Sequence, residues 1–130
     1  MTQHIDGPIR IVLAEDDSDL RKAFVGILEH LGHRVVCAAA NGAELLAMCF
    51  AEQVDVAVVD LDMPLIDGLE AAEQISAKGI PVILVSGHPD VRQVVVENEP
   101  VVTRIIKPAT LESFQRAIAE ALSTRPRPGE

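Results

Sequence analysis

The apolar positions of this chain switch between two rhythms. Five short runs are nearly continuous in Val, Ile, Leu and Ala: Ile9–Ala14, Arg34–Ala39, Asp55–Asp60, Pro81–Ser86 and Val101–Ile106. Runs of this length that do not alternate with polar residues predict strands covered on both faces, as in a parallel sheet. Between them the period lengthens. Leu20, Ala23, Phe24, Ile27, Leu28 and Leu31 share one helical face, and Leu111, Phe114, Ala117, Ile118, Ala121 and Leu122 repeat that spacing near the C-terminus. Asn41 with Glu44, and Asp67 with Glu70, have the form of an N-cap with an acid three positions on, and Thr110 stands ready to cap the last helix. Gly32 and Gly79 fall where helices should stop. In Pro89–Asn98 the triplet Val94, Val95, Val96 favours strand locally, but the place of the segment between two strands predicts a short helix. Strand–helix alternation repeated five times predicts an α/β fold with right-handed crossovers. Residues 9–122 form the domain, between an N-terminal extension (1–8) and a Pro-rich, frayed tail (123–130).

Composition narrows the class. A chain of 130 residues suits one domain, and 48% hydrophobic content supplies its core. A net charge of −9 repels phosphate, and the absence of Tyr and Trp removes stacking platforms, so no direct nucleic-acid partner is expected. No apolar run reaches membrane-spanning length, and MTQHIDGPIR lacks a secretory apolar region, so the expected partners exclude a membrane and the expected location is cytoplasmic. Cys37 and Cys49 form neither a metal spacing nor a disulfide framework and read as small core hydrophobes. His4, His30, His33 and His88 have no metal spacing either.

Chemistry in parallel α/β sheets gathers beyond the carboxyl ends of the strands. Here the first strand ends in Glu15, Asp16 and Asp17, the third in Asp60, the fourth in Ser86 and Gly87, and the fifth in Lys107 and Pro108. Clustered carboxylates repel, and a divalent cation relieves that repulsion. Oxygen-only ligands with room for water suit Mg²⁺. A carboxylate such as Asp60 can attack phosphorus and form an acyl phosphate, while a metal neutralises phosphoryl oxygens. Lys107 supplies a positive point charge and the Ser86 hydroxyl a donor. Each residue also has a plain structural reading: a solvated acidic loop or helix cap, a capping Asp, a structural Ser, a surface Lys. Four strand ends that each offer the required group favour phosphoryl transfer onto Asp60.

The stretches IVLAEDDSDLR, VVDLDMPLIDGLE, VILVSG and IIKP, in that order, resemble the receiver domain of bacterial two-component response regulators from Ile9 to Leu122. The D-x-D-M-P-x-x-D-G segment at Asp60–Gly68 is the most specific part. The resemblance implies a doubly wound, five-stranded parallel sheet of order 2-1-3-4-5 with helices on both faces, a flavodoxin-like three-layer sandwich. It implies that Asp60 takes a phosphoryl group from a phosphohistidine of a sensor histidine kinase or histidine phosphotransfer protein. Asp16 becomes the direct acidic ligand of Mg²⁺ (or Mn²⁺), Glu15 the neighbouring acid that acts through water, and Asp62 the donor of a backbone carbonyl. Asp17 lies outside the metal shell. The Asp62 side chain faces the site mouth, where it tunes hydrolysis, and Gly87 and His88 flank the phosphoryl group. Ser86 resembles the hydroxyl that moves toward that group, and Lys107 the lysine that precedes Pro108 across a cis bond. Many members carry an aromatic rotamer switch three residues before the lysine; that position is Arg104 here, and Glu97–Pro100 replaces the usual Gly-Ala turn. The implied output is a switched protein–protein surface that meets a downstream protein target, in a monomer or a weak phosphorylation-dependent dimer. Such a protein catalyses its own phosphorylation and dephosphorylation without turning over an external substrate.

Two alternatives compete. VVDLDMP and VILVSG also match haloacid-dehalogenase-like Mg²⁺ phosphatases, but that family places a further acidic pair after its lysine, where this chain offers only Glu112 and Glu120 on the expected last helix. A receiver fold used as a non-catalytic binding module is the other, and the altered Arg104 region speaks for it.

Overall fold

Each of the five apolar runs forms a strand. The computed structural model describes residues 8–51, 53–62, 67–87 and 102–123. In it β1 (Arg10–Ala14), β2 (Arg34–Ala39), β3 (Val56–Asp60), β4 (Val82–Ser86) and β5 (Val102–Ile106) make one parallel sheet in the order β2-β1-β3-β4-β5. The helices are α1 (Ser18–His30), α2 (Gly42–Ala51), α3 (Asp67–Ala77) and α4 (Leu111–Ser123). The short helix expected in Pro89–Asn98, His4, His88 and the tail beyond Ser123 lie outside the described residues. The first, third and fourth strands begin one residue later than their apolar runs. Ile9 and Pro81 still lend their carbonyls to the ladder, to Arg34 N–H at 2.9 Å and Ala57 N–H at 3.0 Å, but Pro81 has no N–H to return. Against β1, β2 slips by one residue, so that Ile11 pairs with Val35 and Val12 with Cys37.

The strands are apolar throughout because both faces are covered. Ile11, Leu13, Val56, Val58, Ile83, Val85 and Ile105 face Phe24 and Leu28 of α1 and Phe114, Ala117, Ile118 and Ala121 of α4. The alternate residues Val12, Ala14, Ala57, Val59, Val82 and Leu84 face Leu45 of α2 and Ala71, Ala72 and Ile75 of α3. Cys37 is half-buried against this second layer; the Cys49 side chain lies outside the described residues. The first layer contains an edge-to-face ring pair, Phe24 on Phe114, with centroids 5.2 Å apart.

The helix ends follow the sequence signals. Asn41 Oδ1 accepts the Glu44 N–H at 2.9 Å, and Glu44 Oε1 reaches back to the Ala40 N–H at 2.9 Å, one residue beyond the usual capping-box partner. Thr110 Oγ1 accepts the Ser113 N–H at 3.1 Å. The Asp67 side chain lies outside the described residues. α1 ends in a Schellman turn: Gly32 N–H reaches Glu29 O, His33 N–H reaches Leu28 O, and Gly32 takes φ 95°. Among the described residues no helix is long and apolar enough to cross a membrane.

Phe114 is wholly buried and holds one half of the ring pair. Phe114→Ala is expected to cost about 3–5 kcal/mol in urea unfolding, with the loss shared non-additively with Phe24→Ala. Additive losses would show that the ring pair contributes nothing beyond its separate burial.

Candidate functional site

The strand order puts β1 and β3 side by side, with β2 outside one and β4 outside the other. Chain connections leave this pair in opposite directions, and the crevice at its carboxyl end is the natural binding position of a doubly wound sheet. Single hydrogen bonds beyond the strands carry the ladder into the site. Glu15 N–H bonds Ala39 O at 3.0 Å, Leu61 N–H bonds Val85 O at 2.8 Å, and Lys107 N–H bonds Ser86 O at 2.8 Å. Glu15, Leu61 and Lys107 are thereby fixed by the sheet rather than by loops.

The sheet sorts the acidic run into three environments. Glu15 continues the inward alternation of Ile11 and Leu13 and is 2% exposed. Asp16 is exposed. Asp17 is the N-cap of α1, accepting the N–H groups of Asp19 at 2.9 Å and Leu20 at 3.1 Å through Oδ1. Its own N–H donates to Glu15 Oε2 at 3.0 Å, and the Arg21 guanidinium donates to Glu15 O at 2.8 Å. The helix start therefore clamps Glu15 from both its side chain and its carbonyl.

Asp60 is wholly buried at the end of β3. Its Oδ1 accepts the Asp62 N–H at 2.7 Å, and its Oδ2 lies 2.8 Å from Lys107 Nζ. Lys107 Nζ also lies 3.2 Å from Asp62 Oδ2. Asp62 Oδ2 accepts the Gly87 N–H at 2.8 Å, and Asp62 Oδ1 accepts the Ser86 hydroxyl at 3.2 Å. Partial burial works to lower the Lys107 pKa, but contact with Asp60 and then Asp62 outweighs it and raises it. Partial burial likewise works to raise the Asp62 pKa, but the Gly87 N–H, the Lys107 ammonium and the Ser86 hydroxyl hold it below the usual carboxylate range. Glu15 is the opposite case. Burial, a hydrogen bond shared with Asp60 and the Asp60 charge push its pKa up to about 8, against the Asp17 N–H and Lys107. Glu15 Oε1 is buried and no donor reaches it.

Glu15, Asp60, Asp62, Ser86, Gly87 and Lys107 are thus brought into one contact network. Asp16 stands at its exposed edge, and among the described residues no three acidic, His or Cys side chains form a ready-made metal cluster. The bond between Lys107 and Pro108 is cis. Arg104 pairs with Leu84 on β5 and is half-buried on the α2–α3 side of the sheet. His88 lies outside the described residues. Sequence reasoning missed Arg21, whose signal was its place four residues after the capping Asp17. It also missed that the Asp62 side chain joins Ser86, Gly87 and Lys107; no local pattern shows contacts across 24 or 25 residues.

The response regulator receiver domain family matches residues 11–119, and the chain belongs to that family. It is a receiver domain of two-component signalling. The transcriptional regulatory protein PdtaR of Mycobacterium tuberculosis is 28% identical over 118 residues, 89% of this chain and 58% of that protein. The tetrathionate response regulatory protein TtrR of Salmonella typhimurium is 31% identical over 116 residues, 87% of this chain and 56% of that protein. The chain spans little more than half the length of these two relatives. A CheY-like receiver domain protein from Methanospirillum hungatei superposes with a TM-score of 0.77 at 27% identity, covering 90% of this chain and 95% of that one. Membership places the chain with receivers rather than with haloacid-dehalogenase-like phosphatases.

The raised Glu15 pKa makes stability depend on pH in a defined direction. The folded protein holds a proton on Glu15 that an unfolded chain, with a carboxyl near 4.5, releases. This contribution is complete below about pH 4.5 and is lost as pH rises to about 8. His33, whose pKa burial lowers, contributes the opposite slope, but equally in a Glu15→Gln variant. In chelator, the melting temperature of the wild type should therefore fall by several degrees relative to Glu15→Gln across that window. A gap that stays constant with pH would show that Glu15 is ionised throughout.

Proposed function

We propose that this receiver accepts a phosphoryl group on Asp60 and passes the change on as an altered protein-binding surface. One observation carries the reading. Asp60 is the wholly buried carboxylate at the sheet crevice, with an ammonium 2.8 Å away and a second, donor-free carboxyl oxygen of Glu15 beside it. A structural Asp needs none of this. A nucleophilic one needs its charge balanced while the incoming group brings more negative charge.

In the transfer, a P–O bond forms to one Asp60 oxygen as the P–N bond to the donor's imidazole breaks. The electron pair leaves with the imidazole nitrogen, which takes up a proton. Lys107 balances the charge that collects on the phosphoryl oxygens. The Ser86 hydroxyl and the Gly87 N–H are the nearby donors for those oxygens. The donor-free Glu15 Oε1 beside Asp60 fits a divalent cation, Mg²⁺ or Mn²⁺, held by Glu15, Asp16, Asp60 and the Asp62 backbone carbonyl. Such an ion supplies charge neutralisation in the transfer. The donor is a sensor histidine kinase or histidine phosphotransfer protein, the receiver of the signal is a downstream protein, and the setting is the cytoplasm. The two relatives are named as regulatory proteins, one of them transcriptional, and carry more chain than is matched here. An output of that kind belongs to the same proposal.

Acetyl phosphate with Mg²⁺ should label the wild type, as read by mass shift or Phos-tag mobility. Asp60→Asn should abolish labelling, and Lys107→Ala should reduce it by about 10²-fold or more. Equal labelling of wild type and Asp60→Asn would remove Asp60 from this role. Millimolar Mg²⁺ should raise the melting temperature of the wild type and not that of Asp60→Asn.

A further inference from the structure

The donors that a phosphoryl group on Asp60 would need are already engaged. One carboxylate, Asp62, collects the Gly87 N–H at 2.8 Å, the Ser86 hydroxyl at 3.2 Å and the Lys107 ammonium at 3.2 Å. A backbone amide, a hydroxyl and an ammonium that converge on one anion make an oxyanion cradle. Two further features fit a built arrangement. The Asp62 N–H is fastened to Asp60 Oδ1 at 2.7 Å, which keeps the carboxylate beside the acceptor. Gly87 leaves room for it: a Cβ there would stand 3.3 Å from Asp62 Oδ2, closer than ordinary contact. The Asp62 side chain is 23% exposed at the mouth, which leaves it a way out to water.

We propose that the Asp62 carboxylate is an intramolecular occupant of the phosphoryl pocket, holding Ser86, Gly87 and Lys107 until a phosphoryl group on Asp60 displaces it. The inference rests on Asp60 being the acceptor. The occupant competes with any tetrahedral anion at Asp60, because the Ser86 hydroxyl and the Gly87 N–H each have one proton to give and Lys107 must divide its charge. It also keeps the end of β4 gathered toward Lys107 before any group arrives. Phosphorylation then exchanges one anion for another. An occupant seated about nine-tenths of the time raises the apparent Kd of a competing anion about tenfold.

The test uses beryllofluoride with Mg²⁺ on the full chain, followed by ¹H–¹⁵N spectra at the Gly87 amide. In the unloaded protein, Asp62→Ala should move the Gly87 amide proton upfield, since a charge-assisted hydrogen bond is lost. The same variant should bind beryllofluoride about tenfold more tightly than the wild type. Asp62→Asn should fall between, because its amide oxygen can still accept from Gly87 and Lys107 but carries no charge to hold them. Gly87→Ala, which crowds the Asp62 carboxylate without removing it, should also tighten binding. Equal or weaker binding by Asp62→Ala overturns the proposal and leaves Asp60 as the acceptor. An unmoved Gly87 amide overturns it as well. Saturable binding by neither wild type nor Asp62→Ala overturns the acceptor reading itself, and this inference with it.

Discussion

The site depends on one ammonium. Lys107 lies between Asp60 and Asp62, with Glu15 close behind, so a single positive charge faces three carboxyl groups. Removing charges from water is costly unless they are paired, and like charges in one pocket cannot all ionise cheaply. The protein answers by dividing the burden. Asp62 takes donors from Gly87 and Ser86 and remains ionised at the mouth, Asp60 shares Lys107, and Glu15 retains a proton to higher pH. Whatever fixes Lys107, such as its N–H bond to Ser86 O, therefore sets the electrostatics of the crevice.

Most of the fold was legible because a strand covered on both faces leaves no choice of residue. Val56–Val59 and Val82–Val85 are apolar at every position, and the first polar residue after each, Asp60 and Ser86, is still buried and marks where the strand meets the crevice. The helix caps were legible for the same local reason, since Asn41 and Thr110 act on N–H groups within three residues. Spacing alone does not show the different surroundings of Glu15, Asp16 and Asp17, three similar acids in a row, although the family resemblance assigns them different roles. Strand alternation turns the first inward, helix geometry uses the third as a cap, and the second is left in solvent. Those outcomes depend on where β1 stops relative to α1, a matter of one residue that composition does not record.

The contacts of Asp62 were illegible for a different reason. They depend on the relative heights of β3, β4 and β5, which the pairing of Asp60 with Val85 and of Ser86 with Ile106 sets. Arg104 shows the opposite limit. Its place three residues before Lys107 is plain in the sequence, but the face it takes is set by the strand: Arg104 pairs with Leu84, away from the alternation that leads to Asp60 and Lys107.

The alternation of the two layers has a structural consequence. Glu15, Asp60 and Lys107 continue the strand positions that pack on α1 and α4, while Ser86 continues those that pack on α2 and α3. The crevice is thus assembled from both sides of the sheet, with its charged groups on one lamina and its hydroxyl on the other. Both helical layers therefore back the crevice, one behind its charged groups and the other behind its hydroxyl.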